Sequence, residues 1–283
     1  MPEPAAAEPS VHVEHIDGHA VRLRAPHDLS FLARWGSVFR VFDEQDSGNL
    51  CFGVDQEGTR LFVKYAGAPT TRYEGLIQDA VRRSRRAVEV YRALRHDTVV
   101  ALRDATDVAS GHVMVFEWTD ALSLGRQYGG GTALDGLDPA QRAAAVQQIY
   151  DFHVHVAREG WVAVDLYDGS VMVDPRSGAV TLCDLDFYER GSVVNTMGRM
   201  WGSRRFMSPE ENRLGATIDE VTNVFALGVL AHTLLGNDAT RSTHAWLGSP
   251  QQLAVATRAH SVARGERWPS IAALADAWRD ASA

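Results

Sequence analysis

Apolar and polar positions alternate with period two over the first part of the chain, then switch to a helical period. Residues 11–27 read as a short hairpin turning at Asp17-Gly18, an Asp-Gly pair that suits a tight two-residue turn. Three strand-like runs follow, Trp35–Phe42, Leu50–Asp55 and Arg60–Ala66. They are separated by D-E-Q-D-S-G-N and Q-E-G-T, so an antiparallel meander is expected. A helix is predicted from Leu76 to Leu94, because Ile77, Val81, Ser84, Val88 and Tyr91 recur at spacings of three and four. Its other side carries R-R-S-R-R, read as a solvated face. Strands at Val99–Arg103 and His112–Glu117 close this region.

Beyond it the pattern becomes mainly helical. Gly125–Gly136, with three consecutive glycines at 129–131, reads as a flexible loop. Asp138-Pro139 supplies an N-cap and a first-turn proline for a helix running to about Ala157. Short strands near Val171–Val173 and Val180–Leu185 flank the turn P-R-S-G. Val221–Leu235 is apolar nearly all the way round, which places that helix at the centre of its surroundings. The class expected is therefore α+β, an antiparallel sheet region followed by a helical one, with a tail and hairpin over 1–27, a first part over 28–118 and a second over 119–283.

Composition removes several classes of function. A formal net charge of −8 is unlike the basic surface of a nucleic-acid binder. No apolar run is long enough to span a bilayer, and no basic-then-apolar leader opens the chain, so a cytoplasmic protein is expected. The start, M-P-E-P-A-A-A-E-P-S, has the composition of a disordered segment. Cys51 and Cys183 are far apart in apolar runs and read as reduced, buried thiols. His12, Glu14, His15 and His19 lack the supporting carboxylates of a metal site and read as polar surface.

Of 28 basic Lys+Arg side chains, Lys64 is the single lysine, in the strand-like run L-F-V-K-Y-A. Arginine is larger and seeks bidentate partners, so it cannot replace a compact ammonium aimed at one phosphate. Glu89 follows in the predicted helix, seven residues before His96-Asp97. Further on come V-M-V-F-E-W, W-V-A-V-D-L-Y-D-G-S, V-T-L-C-D-L-D-F, W-G-S-R-R-F-M-S-P-E, N-V-F-A-L-G-V-L and G-E-R-W-P-S. In this order and spacing, over roughly residues 31–280, the chain resembles the protein kinase superfamily, in particular the bacterial Ser/Thr kinases.

That resemblance implies a two-lobed fold, with a sheet-plus-helix N-lobe and a mainly helical C-lobe, and ATP with Mg²⁺ as cofactors. It implies that Lys64 holds the ATP phosphates and is itself held by Glu89; opposite charges near 4 Å attract by about 4 kcal/mol at an effective dielectric of 20. Phe116, Glu117 and Trp118 fall beside the adenine, and Ser47, Gly48 and Asn49 in the phosphate-covering loop. Asp165 matches the aspartate that takes the acceptor's proton, and Asp184 the Mg²⁺ ligand. Glu210 of S-P-E and Arg267 match a buried ion pair near the substrate-side segment.

Several positions depart from the pattern. Only Gly48 survives of the glycine-rich loop, and Asp43, Glu44 and Asp46 bring negative charge there. Val164 and Tyr167 replace an arginine and a lysine of the catalytic loop, Asn223 replaces an aspartate, and Ser170 stands where a metal-binding asparagine is usual. Asp186 replaces a glycine; if the strand stays extended, Asp184 and Asp186 share a face and both reach metal, with Ser170 as a neutral ligand. Arg204 or Arg205 is the candidate for the positive charge missing at Tyr167. The expected function is an ATP-dependent phosphotransferase acting on a protein hydroxyl, with no nucleic-acid or membrane partner. The alternatives are a small-molecule kinase of the aminoglycoside type and a nucleotide-binding pseudokinase scaffold. With no sensor segment in view, control is expected from a separate partner, or the enzyme is always on.

Overall fold

The computed structural model describes residues 11–125, 132–236 and 243–282. The Ala/Pro/Glu-rich start and the three-glycine run lie outside them. The class is α+β with antiparallel sheets, and five α-helices occur among the described residues. Two compact units are present. One runs to Arg92 and takes in Ala101–Trp118; the other comprises Ala93–Val100 and the chain from Thr119.

In the first unit, β1 (His12–Ile16) and β2 (His19–Leu23) form the predicted hairpin. Asp17 and Gly18 both take positive φ, 48° and 82°, as a tight hairpin turn requires. Then come β3 (Ser37–Phe42), β4 (Asn49–Gln56), β5 (Thr59–Ala66), α1 (Ile77–Ala93), β6 (Leu102–Val108) and β7 (Gly111–Glu117). They make one antiparallel sheet in the order β3-β4-β5-β7-β6. β6 starts later than the apolar run at 99–103 predicts. Its pairing with β7 continues through the mostly polar stretch 104–107, since ladder hydrogen bonds do not require apolar side chains.

Strand alternation gives this sheet two different faces. Leu50, Phe52, Val54, Leu61, Val63, Tyr65, Val113 and Val115 join Val21, Leu23, Leu29 and Leu32 in one buried core, so the hairpin covers that face. The other face carries Phe62, Lys64, His112, Met114 and Phe116, and α1 packs on it. The Ser84 hydroxyl meets His112 Nδ1 at 2.8 Å, and the Tyr91 ring lies 4.8 Å from that of Phe116.

The second unit contains β8 (Leu122–Ser123), α2 (Pro139–Arg158), β9 (Trp161–Val162), β10 (Val171–Val173), β11 (Val180–Leu182), β12 (Glu189–Arg190), β13 (Val193–Val194), β14 (Thr217–Ile218), α3 (Glu220–Leu235), α4 (Pro250–Ala259) and α5 (Ile271–Ser282). α2 begins with a full capping box, Asp138 and Gln141 each serving the other's backbone. α3 is buried on all sides, as its unbroken apolar sequence demands. The Tyr150 hydroxyl donates to the Leu227 carbonyl at 3.2 Å, and the Trp278 indole to Ala143 at 3.2 Å, fixing α3 and α5 on α2. Gly228 allows α4 to approach closely: a Cβ there would lie 2.7 Å from that of Ala259.

Candidate active site

The first unit places Lys64 in β5 between Cys51 of β4 and Met114 of β7, on the face that α1 covers. The lysine is 8% exposed. A charged group so enclosed is rare unless it has a task or a partner. Glu89 does not face it. The buried side of α1 is Ala80, Ser84, Ala87, Val88, Val90 and Tyr91, and Glu89 is on the exposed side. Each residue turns the helix by about 100°, so the residue after Val88 leaves the packed arc. The expectation of a Lys64–Glu89 pair is therefore corrected.

The loop between β3 and β4 folds onto the start of α1. Gly48, at φ 80°, abuts Tyr73 and Ala80, where a Cβ would come within 3.0 Å. Arg83 donates to the Ser47 carbonyl, and the Asn49 amide donates to the Ser47 hydroxyl at 3.0 Å. Arg82 pairs with Asp79, and Arg85 with Asp107, so several arginines of R-R-S-R-R are engaged within the unit. The acids of the loop are partly neutralised. Asp43 and Glu44 both receive the Arg22 guanidinium, and Arg72 reaches Glu44 at 3.4 Å.

Aromatic rings surround the end of β7. Phe116 is buried against Phe62 and Tyr91. Trp118 lies 4.9 Å from Phe39 and 6.4 Å from Phe62, and Gly53 leaves the room these rings use. Glu117 is exposed and pairs with Arg103.

In the second unit the chain is strained at two aspartates. Among the described residues four non-glycines have positive φ: Asp17 and Glu57 sit in tight hairpin turns, whereas Asp165 (61°) and Asp184 (60°) do not. That conformation costs about 1–2 kcal/mol per residue, and such strain collects at working sites. Asp165 is held from several sides. Two residues earlier, Ala163 N donates to Asn223 Oδ1 at 2.8 Å and Ala163 O accepts from Asn223 Nδ2 at 2.5 Å. Asn223 thus serves both backbone groups, which an aspartate, having no donor, could not. Gly202, at φ 125°, lies against the carboxylate: a Cβ there would be 2.7 Å from Asp165 Oδ1.

Three residues past Asp165, the buried Asp168 receives Arg205 Nη2 on both oxygens, at 2.7 and 3.0 Å. Arg205, 37 positions further on, thus pairs with Asp168 of the loop that carries Asp165, and its charge is balanced there. Ser170 sits opposite Cys183 at the end of the β10–β11 hairpin, with Cys183 N donating to Ser170 O at 2.9 Å. The Ser170 hydroxyl is buried with no hydrogen-bond partner among the described residues, an arrangement suited to an added oxygen-seeking ligand.

β11 ends at Leu182, and beyond the left-handed Asp184 the chain reverses in a turn in which Tyr188 N bonds Leu185 O at 3.1 Å. The strand does not stay extended. The premise that put Asp184 and Asp186 on one strand face therefore fails: Asp184 is half-buried and Asp186 is 2% exposed. Burial first, and then the nearby charges of Asp184, Cys183 and Asp165, push the Tyr188 hydroxyl well above its ordinary value. His153 is fully buried beside it, and burial lowers its pKa to about 4 despite a bond to Ile149. Its Nδ1 must donate to the Ile149 carbonyl at 2.7 Å, so Nε2 accepts the Tyr188 hydroxyl at 3.0 Å.

The segment following β13 is organised by Asn195, which donates to the carbonyls of Gly198 and Glu211 and accepts from the Met197 and Gly198 amides. Glu210 and Arg267 form the expected buried pair, two bonds at 2.5 and 3.0 Å. Burial alone would raise the Glu210 pKa, but Arg267 and Arg264 hold it below its ordinary value. Among the described residues no group of three or more His, Cys, Asp or Glu side chains is arranged to hold a metal by itself. Sequence reading missed Arg22, Asp168 and Gly202. Arg22 and Asp168 look like ordinary surface charges in one dimension, and only W-G-S hinted at a backbone constraint at Gly202. Neither a protein-family model nor a curated protein matches this chain.

Proposed function

We propose that the protein is an ATP-dependent phosphotransferase of protein-kinase type, acting on a protein hydroxyl. The observation that carries this reading is the pair of aspartates, Asp165 and Asp184, kept in left-handed backbone without a turn to explain it. A single enclosed lysine on the sheet of the other unit supports it. In this reading Lys64 binds a phosphate oxygen of ATP, and Asp165 accepts the acceptor's hydroxyl proton. The hydroxyl oxygen forms a bond to the γ-phosphorus as the bond to the β–γ bridging oxygen breaks, and ADP leaves with that electron pair.

Asp184 and the Ser170 hydroxyl are the groups that would hold Mg²⁺, which neutralises the phosphate charge. Mg²⁺ commonly uses one or two carboxylates and completes its shell with phosphate and water, so a small protein ligand set suits it. Val194, Met197, Trp201 and Leu214, 60, 47, 64 and 69% exposed, are large apolar side chains along the segment that Asn195 organises. Exposed apolar surface of this kind favours a protein acceptor over a sugar or other polar metabolite.

The exposed Glu89 favours a second reading, a nucleotide-binding pseudokinase, because the carboxylate at the position the family pattern uses lies on the outer side of α1. One experiment separates them. The protein is incubated with γ-labelled ATP and Mg²⁺, alone and with a generic protein acceptor, while a thermal-shift titration reports binding. Binding with transfer of label supports the phosphotransferase, and binding without transfer supports the pseudokinase. Absence of both rejects each.

A further inference from the structure

The β1–β2 hairpin lies along β3 and is tied to it at both ends. At the turn, Asp17 Oδ2 accepts the Val38 amide at 2.7 Å. At the far end of β2, Arg22 makes four bonds to the loop that follows β3. Its backbone amide and Nε reach Asp43 Oδ2 at 2.8 and 2.9 Å, and Nη2 reaches Asp43 Oδ1 at 2.6 Å and Glu44 Oε1 at 2.9 Å. Asp43 is 6% exposed, and burial, which alone would raise its pKa, is outweighed by these bonds so that the carboxyl stays ionised.

This loop and Lys64 share one end of the sheet: the Asp43 end of the loop is bound to the hairpin, and its Gly48 end reaches α1 on the Lys64 face. β4 begins at Asn49, two residues before Cys51, which lies directly across from Lys64. At about 3.3 Å per residue, the loop is less than about 10 Å along the strand from the lysine. Gly48 rests on Ala80 of α1, the helix that covers the Lys64 face. A polyphosphate bound to Lys64 therefore meets the field of Asp43 and Glu44.

We propose that Arg22 is a positioning residue for nucleotide binding. It neutralises Asp43 and Glu44 and fixes the 43–48 loop, so that an anion with several charges can lie against Lys64. This rests on the phosphotransferase reading. Arg22 acts through the two carboxylates and does not touch the nucleotide. Removing it leaves the buried Asp43 carboxylate without its guanidinium and Glu44 with Arg72 alone. Removing the two carboxylates as well restores the balance.

The test measures the Kd for Mg-ATP by titration of four proteins: wild type, Arg22→Ala, Arg22→Ala/Asp43→Asn/Glu44→Gln, and Asp43→Asn/Glu44→Gln. Arg22→Ala is expected to bind about tenfold more weakly, the size of an uncompensated charge at this range. The triple variant should return to within about threefold of wild type, because the repulsion has gone. The double variant, which keeps Arg22, should bind more tightly than wild type. At roughly 0.5 M salt the four values should converge, as screening shortens the reach of these charges.

An Arg22→Ala protein that binds like wild type, or a triple variant as weak as Arg22→Ala, overturns the inference. If Arg22→Ala fails to fold, a double variant no tighter than wild type overturns it equally. A wild-type protein that shows no Mg-ATP binding at all rejects the phosphotransferase reading, an outcome distinct from these.

Discussion

Lys64 is legible without any structure, because a chain that uses arginine everywhere else has kept a lysine in the middle of a strand. Its burial on the α1 face of the sheet agrees with that reading. Lys64→Met is expected to weaken Mg-ATP binding by tenfold or more, about the worth of a charge-assisted bond to phosphate, measured by thermal shift against ATP concentration. Unchanged binding would remove Lys64 from the site. Glu89 should behave in the opposite way. As an exposed residue it should tolerate Glu89→Ala, with binding and transfer near wild type and stability within about 0.5 kcal/mol. A large loss of transfer would show that α1 turns over its length when nucleotide binds. The phase of α1 could have been read in advance: Val81, Ser84, Val88 and Tyr91 mark one face, and position 89 is off it.

At the scale of elements, the hairpin, the meander, α1 and the buried α3 follow directly from periodicity and turn chemistry, which are local and repeat along the chain. What escaped was set by contacts between distant residues. Arg22 and Asp43 are 21 positions apart, and Arg205 and Asp168 are 37. The end of β11 escaped for another reason, since C-D-L-D-F alternates like a strand while Asp184 takes a left-handed conformation. Two outcomes test the second unit. Gly202→Ala, at φ 125° with its new carbon 2.7 Å from Asp165 Oδ1, should lower turnover about tenfold or more by displacing that carboxylate, whereas the neighbouring Ser203→Ala should not. Equal turnover in both would mean that Gly202 does not bear on Asp165. Arg267→Met leaves Glu210 buried without its main partner and should destabilise the protein by about 3–5 kcal/mol in urea titration. A change below about 1 kcal/mol would show that Arg264 and water replace it.

For the molecule as a whole, the buried His153 sets an acid limit. Its pKa falls from 6.5 in the unfolded chain to about 4 when buried, so between these values the unfolded chain holds a proton that the folded one lacks. Stability from this group is complete above pH 6.5 and is lost as pH falls toward 4. At about 1.4 kcal/mol per unit, the loss comes to about 3 kcal/mol. His153→Gln should flatten the pH dependence of the melting temperature across that window. Glu210 acts lower: its depressed pKa keeps its stabilisation intact above 4.5 and removes it as pH falls through the folded value. An unchanged slope between pH 6.5 and 4 in the His153 variant would contradict the assignment of a buried neutral imidazole.

The proposed transfer requires Asp165 as proton acceptor and Lys64 as phosphate-binding cation. The direct measurement is single-turnover transfer of label from γ-labelled ATP to protein, comparing wild type with Asp165→Asn. Transfer by the wild type, and a rate lower by about 10²–10⁴ in the variant with Mg-ATP binding retained, is the expected result. Equal rates in the two proteins, or label that never leaves ATP in either, would contradict it.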